Sequence, residues 1–398
     1  MWPIALGRKN YLFMARWWRQ ISRHRLHADR SVALTATTEL EMAELWTHGY
    51  ASPRGAMGLA RRVEEKGWDG LCVLDSQNLS GDAYVALAMA ATVTERIGLG
   101  TAVTNSVTRM AATTASAIAS VDRVSNGRAV LGISRGDSAL AHLGLSPARF
   151  GQFERYLRHV QSYLRGETVP FSELKVPNDI APPIDDLGLA DTPDASQIAW
   201  IAGSRKVPVE VAATGPRAIK LAGIYAERVM FALGADPVRI TWGMELAKQA
   251  RLEAGLDPND LRFGAYVNCV SHQNINTART LVRGALSLFA RFSVLHGKAA
   301  GPMPPEIADA LQTFRDAYDM REHSKNDSPQ AAALTPEITD YFAVVGAPDT
   351  CIERLGELAD LGLDKLLIAG NFRVADTAEG REAQTLFEDA VLPALRGP

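Results

Sequence analysis

The sequence predicts a single (β/α)8 barrel, and two observations carry that prediction. Short apolar runs of strand length alternate with amphipathic or alanine-rich helical stretches from residue 31 onward. Such alternation builds a parallel sheet, since each helix returns the chain to the starting edge. Eight apolar runs can be counted, the number that closes a barrel, whereas open doubly wound sheets usually have about six strands.

The expected strands are 31–36, 70–74, 97–103, 129–133, 207–213, 228–233, 261–270 and 365–369. The first is a short β-type run, and 39–51 reads as an excursion behind it. Pro53 opens a helix with Met57, Ala60 and Val63 on one face, closed by Lys66-Gly67. The strand GLCVL (70–74) ends in Asp75-Ser76-Gln77-Asn78, and an alanine-rich helix spans 82–95. Residues 97–137 then read as strand, loop, helix, turn and strand, a βαβ unit. Ala117, Ile118, Val121 and Val124 share its helical stripe, and Asn126-Gly127 supplies the left-handed cap. Helices follow at 150–164, 217–226, 237–254, 277–295, 350–361 and 379–395.

Two stretches break the alternation. Residues 171–206 lose periodicity and collect prolines and acids, and 296–340 reads as a second, largely helical insertion. Long connections inside a compact domain are usually functional, and both are expected to cover the site. Domain organisation is therefore one barrel over 31–398, preceded by a basic extension over 1–30. That extension has seven Lys/Arg against one acid, interleaved with Trp2, Tyr11, Phe13, Trp17 and Trp18. Without an uninterrupted apolar segment or cleavage site it reads as a disordered tail.

Composition bounds the function. A net charge of -3 gives no argument for nucleic acid. No apolar run reaches the roughly 20 residues that an integral membrane span needs. Cys72, Cys269 and Cys351 are scattered and form no CxxC, which suits a reducing cytoplasm and offers no metal signature. No GxGxxG or P-loop follows a strand.

Because barrel sites lie at the C-terminal ends of the strands, the loops after residues 74, 103, 133 and 213 hold the candidates. Ala213-Thr214-Gly215 precedes a helix whose free N–H groups and dipole favour a phosphate. Gly132-Ile133-Ser134-Arg135-Gly136 fits the GxSxG elbow of hydrolases, with His272 or His296 as the downstream base. An elbow serine must start a helix at once, and Gly136 and Pro147 argue for a loop instead.

Four stretches in register carry a resemblance: GTAVTNSVTR (100–109), TASAIASVDRVSNGRAVLGISRGDSA (114–139), ATGPRAIKLAGIYAERV (213–229) and VGAPDTCIERLGELADLGLDKLLI (345–368). Together they resemble the bacterial luciferase-like superfamily, and within it methylenetetrahydromethanopterin reductase and related flavin- or F420-dependent oxidoreductases. The resemblance implies a TIM barrel with a flavin-type ring at its C-terminal mouth. It implies a non-prolyl cis bond between Ala102 and Val103 backing the ring, with Asp75, Asn105, Arg109, Arg135 and Gly136 around the cofactor. Asp137 matches an acidic position able to donate a proton.

Departures from the family pattern are informative. Asn105-Ser106-Val107-Thr108-Arg109-Met110-Ala111 lacks the two prolines and the histidine common on this loop, and Asp75-Ser76-Gln77 lacks the usual second imidazole. Gln77 and His142 therefore join Asp137 as catalytic candidates. The expected function is FMN-dependent monooxygenation of a small organic substrate. The alternatives are F420-dependent hydride transfer and non-catalytic flavin binding. The family also implies a homodimer or higher oligomer.

Overall fold

The computed structural model describes residues 43–52, 54–295, 297–370 and 376–396. Eight parallel strands close on themselves: β1 Glu44–Tyr50, β2 Gly70–Leu74, β3 Gly98–Thr101, β4 Ala129–Ser134, β5 Val209–Ala213, β6 Arg228–Phe231, β7 Arg262–Ser271 and β8 Lys365–Ala369. Each pairs with the next, and β8 returns to β1. The expected (β/α)8 barrel is thus the observed fold. Its main core lies between strands and surrounding helices, with Leu45, Leu71, Leu99, Leu131, Val209, Val229 and Leu366 turned outward into it. A separate interior cluster joins Trp46, Cys72, Met230, Tyr266 and Leu367. All three cysteines are buried and free.

The first strand corrects the sequence reading. Residues 31–36, like the basic extension, lie outside the described residues, and β1 falls inside the supposed excursion. ELWTHGY hides its period because only Leu45 enters the outer core, whereas Trp46 fills the barrel and His48 and Tyr50 line a cavity. The indole of Trp46 lies over β2 and β3, and a Cβ on Gly70 or Gly98 would come within 2.4 Å of it. Those two glycines are the sequence trace of this strand. A further short strand, Ala343–Gly346, was not anticipated; it pairs with Asn268–Ser271 of β7. Because Asn268 also pairs with Ala369 of β8, the extra strand continues the edge that β6 begins.

The two insertions separate by topology. Residues 171–206 connect the helix Phe150–Leu164 to the start of β5, the end of the barrel away from the strand C-termini. They pack outward: Tyr163 Oη donates to Ser196 Oγ at 2.8 Å, and Arg123 donates to the Trp200 carbonyl at 2.7 Å. The expectation that they cover the site is not met. Residues 296–340 leave the C-terminal side after β7, and carry the helices Pro305–Asp316 and Pro336–Phe342. No helix among the described residues is long and apolar enough to cross a membrane.

Candidate active site at the barrel mouth

A cavity of about 780 Å³ opens where the strands end. Its floor is made by His48 and Tyr50 of β1, Tyr266 of β7 and Leu367 of β8. The loops after β2, β3, β4 and β5 form its polar side. Leu281, Leu288, Phe289 and Phe292 of the helix Ile275–Val294 form an apolar wall, and residues 320–326 of the insertion lie across it.

Of the sequence-derived candidates, Asp75, Ala102, Val103, Asn105, Arg135, Gly136, Asp137, His142, Ala213, Thr214 and Gly215 all line this cavity. The Ala102–Val103 peptide bond is cis. Asp75 is buried and held at Oδ2 by Thr104 Oγ1 at 2.7 Å and by Arg109 at 2.6 Å. Asn105 Oδ1 accepts the amides of Val107 and Thr108, which leaves its buried Nδ2 without a hydrogen-bond partner. Gly136 adopts φ +86° where a Cβ would press into Leu140 and Asn105.

Two candidates sit elsewhere. Arg109 does not line the cavity; it bridges Asp75 and Asp82 and lies over the Tyr84 ring. Burial works against its charge, but the two carboxylates prevail and raise its pKa. Gln77 turns away as well, donating to the Ala139 carbonyl at 2.9 Å. Neighbouring Asn78 donates to the His142 carbonyl at 3.0 Å, so the pair ties the β2 loop to the β4 loop. Neither side chain lines the cavity, and both tie together the loops that face it.

Arg135 faces the cavity without an acidic partner among the described residues. It does not pair with Asp137; its Nε donates to the Ala148 carbonyl, and its guanidinium lies 3.9 Å from the Phe150 ring centroid. Arg217, at the first turn of the helix Pro216–Tyr225, lies 4.3 Å from the same ring. Burial lowers the Arg135 pKa, and Arg217 adds to the effect. Asp137 instead forms a short ion pair with Arg291, 154 residues away, and leaves its buried Oδ2 without a partner. The ring Nε2 of His142 is likewise buried and without a hydrogen-bond partner. Thr214 Oγ1 bonds the Ala232 carbonyl at 3.2 Å, and a Cβ on Gly215 would meet open space.

Sequence reasoning missed His48, Arg217 and Arg291. Burial lowers the His48 imidazole to about 4, so it is neutral at ordinary pH. His296 lies outside the described residues, and His272 Nδ1 accepts from the amide of Asn274 at the helix entry, off the cavity. Gly136 begins a loop after Ser134, with helix only from Ser138, so the hydrolase elbow is not formed.

The luciferase-like monooxygenase family model matches residues 34–365. This chain belongs to that family. A 5,10-methylenetetrahydromethanopterin reductase of Methanolobus tindarius is 27% identical over 316 residues, covering 78% of this chain and 88% of that one. The coenzyme F420-dependent tetrahydromethanopterin reductase of Methanopyrus kandleri superposes with a TM-score of 0.66 at 19% identity, covering 89% of this chain and 99% of that one. An EDTA monooxygenase of Chelativorans sp. BNC1 superposes at 0.59 and 17% identity, covering 89% and 93%. The luciferase-like fold thus spans reductases and monooxygenases alike, and the chain is an oxidoreductase of this family.

Proposed function

We propose that this chain is a hydride-transferring reductase or dehydrogenase that holds coenzyme F420 across the barrel mouth. The charge pattern of the lining carries the reading. Both lining carboxylates are neutralised from within, Asp75 by Arg109 and Asp137 by Arg291. Arg135, Arg217 and Lys298 line the same cavity with no carboxylate partner among the described residues. Such a mouth calls for an anion with a ring attached, and the deazaflavin cofactor joins a planar ring to a tail of phosphodiester and carboxylates.

The unsatisfied atoms fit that group. Asn105 Nδ2 can donate to a ring carbonyl, and Asp137 Oδ2 can accept from a ring N–H or a sugar hydroxyl. Arg135, Arg217 and the first amides of the helix Pro216–Tyr225 would hold the phosphate. Bound there, the cofactor supplies a hydride from carbon 5 of its ring. The wall of Leu288, Phe289 and Phe292 excludes water and takes the apolar part of a small organic acceptor. Methylenetetrahydromethanopterin, named in the reductase relatives, is the first acceptor to try.

FMN-dependent monooxygenation is the second reading, favoured by the same apolar wall and by the monooxygenase of similar fold. Titration of the full chain with F420 and with FMN at low salt, followed by fluorescence quenching, tests both. F420 binding at micromolar concentration or below is expected. FMN binding alone, followed by oxygen uptake, would replace this reading with monooxygenation, and FMN binding without turnover would make the chain a flavin carrier. Binding of neither would contradict the assignment of Arg135, Thr214 and Arg217.

A further inference from the structure

The segment 320–326 lies across the cavity and is fixed to the barrel. Gly284 N donates to Asn326 Oδ1 at 2.7 Å, and a Cβ on Gly284 would stand only 2.5 Å from the Ser324 carbonyl oxygen. Gln330 braces the same turn, donating to the carbonyls of Asp319 and Glu322 at 3.1 and 3.0 Å. His323, at the centre of this segment, lines the cavity. Its Nδ1 lies 2.8 Å from Tyr318 Oη. Tyr318 is itself packed edge-on against Phe314, with the Arg291 guanidinium 4.8 Å from its ring centroid.

A hydride transferred to a C=O or C=N acceptor needs a proton for the heteroatom, and the mouth has few groups able to provide it. Asp75 is engaged by Thr104 and Arg109, and Asp137 by Arg291. His48 holds no proton to give near neutrality. His142 has its Nε2 buried without a hydrogen-bond partner to fix it. Among the described imidazoles of the lining, His323 combines access with a ring nitrogen fixed by a neighbour, the arrangement general acids use.

We propose that His323 is the proton donor to the substrate heteroatom, and that Tyr318 is the residue that positions it by accepting the Nδ1–H. The inference rests on the hydride-transfer reading above. In the step, the acceptor carbon gains a hydride from the reduced deazaflavin, which is oxidised, and the π pair moves to the heteroatom. The Nε2–H bond of the His323 imidazolium breaks as the heteroatom–H bond forms. The neutral imidazole keeps its Nδ1 proton on Tyr318 Oη and regains the other from solvent. Burial pushes the Tyr318 phenol up to about 12, so its oxygen accepts that bond without ionising.

The test pairs a spectroscopic and a kinetic measurement on the full chain. Long-range ¹H–¹⁵N spectra of labelled protein, with the His323 signals identified by their loss in His323→Gln, report the tautomer of the neutral ring. Wild type should hold the Nδ1–H form, against the intrinsic preference of imidazole, and Tyr318→Phe should revert to mostly Nε2–H. Single-turnover oxidation of reduced F420 by methylenetetrahydromethanopterin, or by acetone as a simple ketone, should slow about 100-fold in His323→Gln and about 10-fold in Tyr318→Phe. F420 affinity should stay within twofold in both. An Nε2–H ring in wild type, or His323→Gln turning over at the wild-type rate, overturns the inference while leaving the proposed function intact. A wild-type protein that binds no F420 overturns the proposed function instead, and the tautomer then decides by itself whether His323 has the geometry of a donor.

Discussion

The two ends of the barrel handle buried charge in opposite ways. At the end where the strands begin, Lys365 is fully buried, with Nζ 2.8 Å from Glu210 and 3.3 Å above the Trp46 ring centroid. Arg228 forms a short ion pair with the same Glu210, and its Nε lies 2.6 Å from Asp364. Burial would raise the Glu210 pKa, but Lys365 and Arg228 hold it below the ordinary carboxylate value. Every charge there has a partner. At the mouth, Asn105 Nδ2, Asp137 Oδ2 and His142 Nε2 are buried without a hydrogen-bond partner, and the guanidiniums of Arg135 and Arg217 both lie against the Phe150 ring. A closed network stabilises the fold; an open one, which the fold tolerates at a cost, is a site awaiting a ligand.

Breaking the closed end should have the largest effect. Lys365→Met leaves Glu210 buried with one cation fewer and should destabilise the protein by about 3 kcal/mol in urea denaturation. Lys365→Met combined with Glu210→Met, which removes both charges, should recover part of that loss. A single variant as stable as wild type would refute the view that the strand-entry network is structural.

Acid should distinguish the two ends by the order in which they fail. The folded pKa of His48, about 4, lies below the unfolded value near 6.5. The unfolded chain therefore takes up a proton first as pH falls. Stability held by the neutral ring is complete above about pH 6.5 and is lost on the way down to 4, by about 3 kcal/mol at most. The lowered pKa of Glu210 acts in a separate window: its contribution is present above the unfolded carboxylate pKa and disappears only as pH falls below it. Urea midpoints measured from pH 7 to 4 should slope downward in wild type and less so in His48→Asn. An equal slope in both would show that the mouth imidazole is not the acid-sensitive group.

Opening the mouth further should affect ligand binding and leave the fold alone. Arg135→Gln with Arg217→Gln should weaken F420 binding about 30-fold, roughly 2 kcal/mol. The urea midpoint should not fall, because the two guanidiniums repel one another in the free protein. The smallest effect is expected for His142→Gln. Its Nε2 has no partner to lose, so single-turnover rates should change less than threefold.

The sequence made the strand ends legible because they are local. The unit 97–137 and the turn 213–215 fall on the cavity as read, since a βαβ period and a glycine-flanked loop are recorded in consecutive residues. Contacts that assemble the site from afar were not legible. Asp137 meets Arg291 across 154 residues, and Glu210 meets Lys365 across 155. Nothing in either neighbourhood encodes such a pairing. Arg135 and Asp137 lie two residues apart in the loop beyond β4, yet they turn to partners brought in from elsewhere, the Ala148 carbonyl and Arg291. Strand β1 escaped notice because the inside of this barrel is aromatic and polar, so its pattern does not read as a buried strand.

In the proposed reading, the mouth is a cationic site for an anionic cofactor, built around Arg135 and Arg217. Fluorescence titration of the full chain with F420 at low salt, run beside Arg135→Gln/Arg217→Gln, tests it most directly. Saturable binding by wild type is expected, weakened about 30-fold in the double variant and by added salt. Equal affinity in the two proteins, or no binding of F420 or FMN to wild type, would contradict it.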